Sequence, residues 1–424
     1  MTNYNKILIA LLLGISLLVP ASHHNARPVD PTDRTAARIE SHPIPDTVYP
    51  AGETAVSRIR NREDLDTFIL DLMNTHHVPG LAACIVKNGK MLWTGTYGYA
   101  NIEEHRPVQK GTLFELASVS KTVTTTALMQ LYEAGLFGLD DDINGYLPFA
   151  VRNPAHPADA ITFRMLLTHT SSIRDNWDLM RYYWGSDSPI PLDEYLWNYL
   201  TPQGKYYFPD KNYYTDMRPG TSWHYSNIGI VVAGYLVEAI SGVPFDQRCE
   251  DHIFTPLGMD ETSWFLAGLD PAHIAMPYHW DGSEYVPYGF FGYSDYPAGQ
   301  LRTSVDQLAC FLISYIQQGE YQGARILDSA TVDLILTVQL PDLNNSQGLV
   351  WFYQNLLGRY LWGHTGGDFG IATRMHFDPS TGIGVITLSN GETQYPLRLI
   401  QDRLFEFAEN YSGMWKTQKL ETLK

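Results

Sequence analysis

The sequence predicts an α+β fold: one antiparallel sheet completed from both ends of the chain, flanked by N- and C-terminal helices, with a helical insertion between them. Three observations predict it. An amphipathic helix and a hairpin open the ordered part, "REDLDTFILDLMNTHHVPG" and then "LAACIVKNGKMLWTGTYGYANI". A second hairpin and a second helix close it, "ATRMHFDPSTGIGVITLSNG" and then "LRLIQDRLFEFAENY". Between the two, helical patterns such as the one after Ser118 dominate, with no internal repeat or low-complexity tract. With 424 residues, 44% hydrophobic and 18% charged, the chain can bury a large core in one domain or two interleaved ones.

In chain order, Lys6 precedes the thirteen residues "ILIALLLGISLLV", followed by "PAS". A positive start, a short apolar core and small residues read as a signal peptide over residues 1–21, with cleavage after Ala21. Thirteen apolar residues fall short of the ~20 that span a bilayer. Export to the periplasm or beyond is the expectation, with an uncleaved membrane anchor as the alternative. Residues 22–60, rich in Pro, His, Asp, Thr and Arg without period, read as an exposed linker. The main folded domain is expected over 61–411, with its insertion at about 135–300, and 412–424 as a tail.

In the opening helix, Leu65, Phe68, Ile69, Leu72 and Met73 keep a 3.6-residue period that stops before Pro79 and Gly80. Asn88-Gly89 then supplies the positive φ of a tight hairpin turn. A net charge of −17 without any run of Lys and Arg excludes nucleic acid and anionic membrane surfaces as favoured partners. Cys84, Cys249 and Cys310 lie far apart without a C-x-x-C, which gives neither a disulfide framework nor a zinc site.

Chemistry enters with "FELASVSKTVTTTALMQ", where Ser118 stands three residues before Lys121 at the start of a helical pattern. Residues three apart share a helix face. At a helix start the free backbone N–H groups and the dipole favour a developing oxyanion. A serine hydroxyl needs a neighbouring base, and a lysine serves only if burial or nearby positive charge lowers its proton affinity. The alternative is a capping serine and a solvated first-turn lysine.

Six stretches in order widen the pattern: "VPGLAACIVKNGK", "TLFELASVSKTVTTTALMQLYEAG", "ITFRMLLTHTSSI", "PGTSWHYSNIGIVVAGYLVEAISG", "IFTPLGMDETSW" and "WGHTGGDFG". The likeness they carry covers about Val78 to Gly391. On them the chain resembles the serine β-lactamase-related hydrolases, in the branch near class C β-lactamases, D-Ala-D-Ala carboxypeptidases and their esterase relatives. The resemblance implies a β-lactamase/penicillin-binding-protein-like fold and an acyl-enzyme on Ser118. It implies that Lys121 and Tyr225 move the proton, and that Asn227, His364, Thr365, Gly366 and Gly367 bind substrate. The backbone N–H groups of Ser118 and Gly367 would hold the oxyanion.

Three Tyr-x-Asn sites compete for the second motif: Tyr99 to Asn101, Tyr225 to Asn227, and Tyr353 to Asn355. Only the second follows a Pro-Gly turn, Pro219-Gly220, and opens an apolar helix, as the resemblance requires. The family's usual Lys-Thr-Gly is His364-Thr365-Gly366 here. Histidine is mostly neutral at pH 7 and lacks the permanent charge that engages a substrate carboxylate, so esterases, amidases and D-amino-acid peptidases fit better than penicillin destroyers. His169 in "LLTHTSSI" is structural by the same resemblance, and Ser171-Ser172 replaces its usual Ser-Gly. A D-stereospecific peptidase on cell-wall peptides, a β-lactamase, and a non-catalytic binder of such ligands are the alternatives.

Residues 176–225 hold 14 aromatics in 50, and residues 278–296 hold 8 in 19, against 13% for the chain. They either wall an apolar cleft or glue an irregular layer together. No Gly-x-Ser-x-Gly elbow, His-Glu-x-x-His helix, P-loop or dinucleotide fingerprint is present. No cofactor and no metal are implied, and the expected partner is a small-molecule or peptide substrate.

Overall fold

A computed structural model describes residues 61–410 except 357. The expected signal peptide, linker and tail lie outside the described residues. Helix α1 (Arg62–Thr75) is capped by Asn61, whose side chain accepts the Asp64 N–H at 2.8 Å. The hairpin of β1 (Gly80–Lys87) and β2 (Lys90–Asn101) follows, turning at Asn88 with φ 53° and Gly89 with φ 69°. A short β3 (Arg106–Pro107) pairs with the end of β2.

Four more strands come from the other end of the chain: β4 (Phe352–Leu356), β5 (Arg359–Asp368), β6 (Ile371–Asp378) and β7 (Ile383–Ser389). The sheet order is β4-β5-β6-β7-β1-β2-β3, and each neighbouring pair is antiparallel. The two ends meet where β1 pairs β7, with Cys84 opposite Ile386.

Why β1 is an unbroken apolar run is clear from its two faces. Leu81, Ala83 and Ile85 pack against α1 and the closing helix α5 (Gln394–Asn410), joining Leu65, Ile69, Leu397 and Leu404. Ala82, Cys84 and Val86 face the other layer, with α2 (Ser120–Glu133), α3 (Asn227–Ser241) and α4 (Val305–Ile316). A strand buried on both faces has no use for polar alternation.

The segment expected as a helical insertion also contains strands. Tyr182–Trp184 pairs with Phe291–Tyr293, and Tyr278–Trp280 pairs with Tyr285–Pro287. These are the two aromatic-rich stretches, and aromatic side chains favour the pleated geometry. Cys84, Cys249 and Cys310 are free thiols. Among the described residues no single helix is long and apolar enough to cross a membrane.

Candidate active site

Ser118 does not sit on the first turn of α2 but on a tighter turn just ahead of it, Ala117–Val119. Ala117 is held at φ 46°, a region that L-residues other than Gly, Asn and Asp avoid. The turn is anchored by Leu116, whose N–H donates to the Leu301 carbonyl at 2.8 Å. One turn along, Lys121 is fully buried. Its Nζ donates to Ser118 Oγ at 2.8 Å and to the Ala298 carbonyl at 2.5 Å. The same nitrogen lies 5.1 Å from the ring centre of Tyr225.

Tyr225 and Asn227 are delivered by the start of α3, where Ser226 caps the helix by accepting the Gly229 N–H at 2.9 Å. Buried Asp175 organises this end. Its carboxylate accepts from Ser226 Oγ at 3.2 Å, Asn227 N at 2.9 Å, Asn227 Nδ2 at 2.8 Å and Ile228 N at 3.0 Å. An anion at a helix N-terminus meets free N–H groups and the positive end of the dipole. Because Nδ2 donates to a carboxylate, the Asn227 side chain has a defined orientation. Its Oδ1 is buried with no hydrogen-bond partner among the described residues.

The other two Tyr-x-Asn sites lie elsewhere, one in β2 and one in β4. His169 packs beneath Tyr225, ring centres 4.3 Å apart, and its Nδ1 accepts the Ser226 N–H at 3.2 Å. Burial, reinforced by Lys121 and His364, holds its imidazole well below the usual range. It therefore supports the tyrosine as a neutral ring.

Strand β5 brings His364, Thr365, Gly366 and Gly367 alongside the Ser118 turn. Only glycine permits this approach: a Cβ on Gly366 would stand 2.2 Å from the Leu116 carbonyl and 3.0 Å from Ser118 N. Pairing with β4 ends at Gly363, while pairing with β6 runs on to Asp368. Among the described residues, the outer edge of β5 beyond Gly363 thus has no paired strand.

His364, expected to orient substrate, is 1% exposed. Its ring packs 5.3 Å from Phe352 and 6.4 Å from Tyr225, and its Nδ1 lies 2.6 Å from the Thr365 carbonyl. Burial, then the nearby Lys121, pushes its imidazole down to about 3. A neutral ring must donate from Nδ1 to that carbonyl, leaving Nε2 as the acceptor; Nε2 is buried without a hydrogen-bond partner among the described residues. The position contributes an uncharged floor under Tyr225. Thr365 and Gly367 are half-buried and closer to the surface.

Just past β5, rings from both aromatic-rich stretches gather on Phe369. Tyr182 and Tyr288 each lie 5.1 Å from it and Trp184 6.2 Å. Tyr182 also donates its hydroxyl to Asp368. Buried Tyr182 and Phe291 serve packing, while half-buried Trp184 and Tyr288 form a wall near this end of β5.

Sequence reasoning missed Asp175, the Ala298 carbonyl and Gln394, whose Nε2 donates to the Gly366 carbonyl at 2.5 Å. None carries a local motif; each acts across the fold.

Comparison with known proteins agrees with this architecture. Penicillin-binding protein 4* of Bacillus subtilis (strain 168) is 30% identical over 213 residues, 50% of this chain and 44% of that protein. The chain thus spans less than half the length of that curated relative. The octameric penicillin-binding protein homologue from Pyrococcus abyssi is 26% identical with a TM-score of 0.63, over 83% of this chain and 77% of that one. EstCE1, a hydrolase with promiscuous acyltransferase activity, shares the fold with a TM-score of 0.63 at 21% identity, over 80% of this chain and 98% of that one. The family model described as Beta-lactamase matches residues 65–405, from α1 through the Ser118 turn and β5 into α5. On that match and this fold, the chain belongs to the Beta-lactamase family.

Proposed function

We propose that this protein is an exported serine hydrolase that cleaves an ester or amide through an acyl-enzyme on Ser118. The observation that carries this reading is the 2.8 Å contact between Lys121 Nζ and Ser118 Oγ in a site where the lysine has no solvent exposure. Burial is the condition under which a lysine becomes a base, because it disfavours the charged form.

In the reaction, Ser118 Oγ attacks the carbonyl carbon and its proton passes along this contact to Lys121, with Tyr225 beside it. The oxyanion lies against the N–H groups of Ser118 and Gly367. Collapse of the tetrahedral adduct expels an alcohol or amine, which takes a proton from the Lys121–Tyr225 pair. Water, activated by the same pair, then attacks the acyl carbon and frees Ser118. Asn227 Oδ1 is the acceptor offered to Lys121 or to a substrate N–H.

The uncharged floor at His364 favours substrates without a carboxylate at that subsite. The second reading, a D-stereospecific peptidase or carboxypeptidase on cell-wall peptides, is favoured by the unpaired edge of β5, along which a peptide can lie as a strand. Export rests on the N-terminal segment of the sequence.

Intact-protein mass after brief mixing with a short-chain p-nitrophenyl ester, and separately with benzylpenicillin, tests the reading. A covalent gain and a nitrophenol burst are expected with the wild type and absent in Ser118→Ala, which keeps its fold. Lys121→Ala should slow acylation by a comparable factor, since members of one catalytic unit are not additive. Full turnover by Ser118→Ala sinks the mechanism.

A further inference from the structure

Two N–H groups form the oxyanion hole in this reading, and they differ in how they are fixed. That of Ser118 belongs to a hydrogen-bonded turn packed into the core. That of Gly367 belongs to the peptide between two glycines, where no side chain restricts backbone rotation, on a strand that beyond Gly363 is paired with β6 alone among the described residues.

We propose that Gln394 is the positioning residue for this half of the hole: it grips the Gly366–Gly367 peptide by its carbonyl and so aims the Gly367 N–H. The proposal rests on the serine-hydrolase reading. Gln394 is the first residue of α5, and its Nε2 donates to Gly366 O at 2.5 Å. In a trans peptide the C=O and the following N–H point in opposite directions within one plane. Holding the oxygen on the sheet side therefore directs the nitrogen's hydrogen outward, across the strand to the unpaired edge.

The other side-chain donor to that carbonyl is weaker. Thr373 Oγ1 lies 3.4 Å from Gly366 O and 2.7 Å from the Leu116 carbonyl, so its proton goes to Leu116. Gln394 also covers the plane: its Nε2 stands 3.5 Å from the place a Cβ on Gly367 would occupy. A donor on the carbonyl polarises the peptide and makes its N–H a better donor in turn. The arrangement has a cost, since Gln394 Oε1 is buried with no hydrogen-bond partner among the described residues.

The test compares Gln394→Met, which keeps the length and removes the donor, with Gln394→Glu, which replaces it by an acceptor, and Gln394→Lys, which restores a donor. The full chain is used, with a p-nitrophenyl ester, burst titration to count active sites, and an alkyl boronic acid whose tetrahedral oxygen occupies the hole. Losing one oxyanion donor costs about 100- to 1,000-fold, and mis-aiming one should cost about 10- to 100-fold. The expected result is that loss in kcat per active site for Met and Glu, with KM within about twofold, boronate affinity falling in parallel, and Lys recovering much of both.

A kcat per active site within twofold of wild type for Met and Glu overturns the proposal. So does a loss of active sites or thermal midpoint without a change in boronate affinity, which marks a structural role. If the wild type forms no Ser118-dependent adduct, the hydrolase reading fails and takes this role with it. If that adduct forms and the Gln394 variants turn over normally, the role of Gln394 alone fails.

Discussion

At position 364 a side chain that titrates near neutrality in water is kept uncharged down to about pH 3. His169 and His376 are likewise buried and held well below the usual range, chiefly by burial. The unfolded chain binds protons at these three imidazoles below pH 6.5, whereas the folded chain refuses them until far lower pH. Stability is thus complete above pH 6.5 and falls as the pH drops from there toward 3. The slope is at most about 1.4 kcal/mol per pH unit for each ring. Urea midpoints should hold from pH 7.5 to about 6.5 and decline from there to 4.5; a flat profile throughout would mean that the folded protein protonates these rings. The same burial predicts that no inflection in turnover near pH 6.5 comes from His364. From sequence, the exchange of lysine for histidine was legible because it stands inside a motif. Its depth under Tyr225 was not, because a strand residue's burial depends on what the rest of the chain lays over it.

Among the elements, α3 depends on a residue far outside itself. Asp175 reaches its first turn across 52 residues of sequence. Replacing it by Ala leaves the N–H groups of Asn227 and Ile228 and the Asn227 amide without their acceptor. The expected cost is about 3–5 kcal/mol, read as a lower urea midpoint, together with a fall in turnover as Tyr225 and Asn227 lose their footing. An unchanged midpoint would mean that water or a neighbour replaces the carboxylate. Ser118-to-Lys121 and Tyr225-to-Asn227 could be read from the chain because their members share one turn or one helix start. Asp175 and Gln394 could not, since their work is done through tertiary contact alone. The short aromatic ribbons were hidden for a related reason: three-residue strands give too little alternation to register as a period.

For the whole molecule, the sheet is a joint product of both ends. α5 buries Leu397, Ile400, Leu404, Phe405 and Phe407, and side chains of this size contribute about 1.5–3 kcal/mol each on burial. Their sum approaches the 5–15 kcal/mol that holds a typical domain together. A chain ending at Thr393 is therefore expected to lose α1 and the first hairpin as well, giving no cooperative transition by circular dichroism. A sharp transition in that truncate would show an independently stable remainder. This closure was legible early, because hairpins and amphipathic helices at both termini leave few other ways to bury their apolar faces.

The meeting of β5 with the Ser118 turn joins parts of the chain that are made far apart in time. On the proposed reading, Ser118 leaves the ribosome long before Gly366 and Gly367, so a nascent chain is expected to carry the serine without the strand that stands opposite it. In that reading the order of the sequence acts as a clock, and completion of the fold is the activation step.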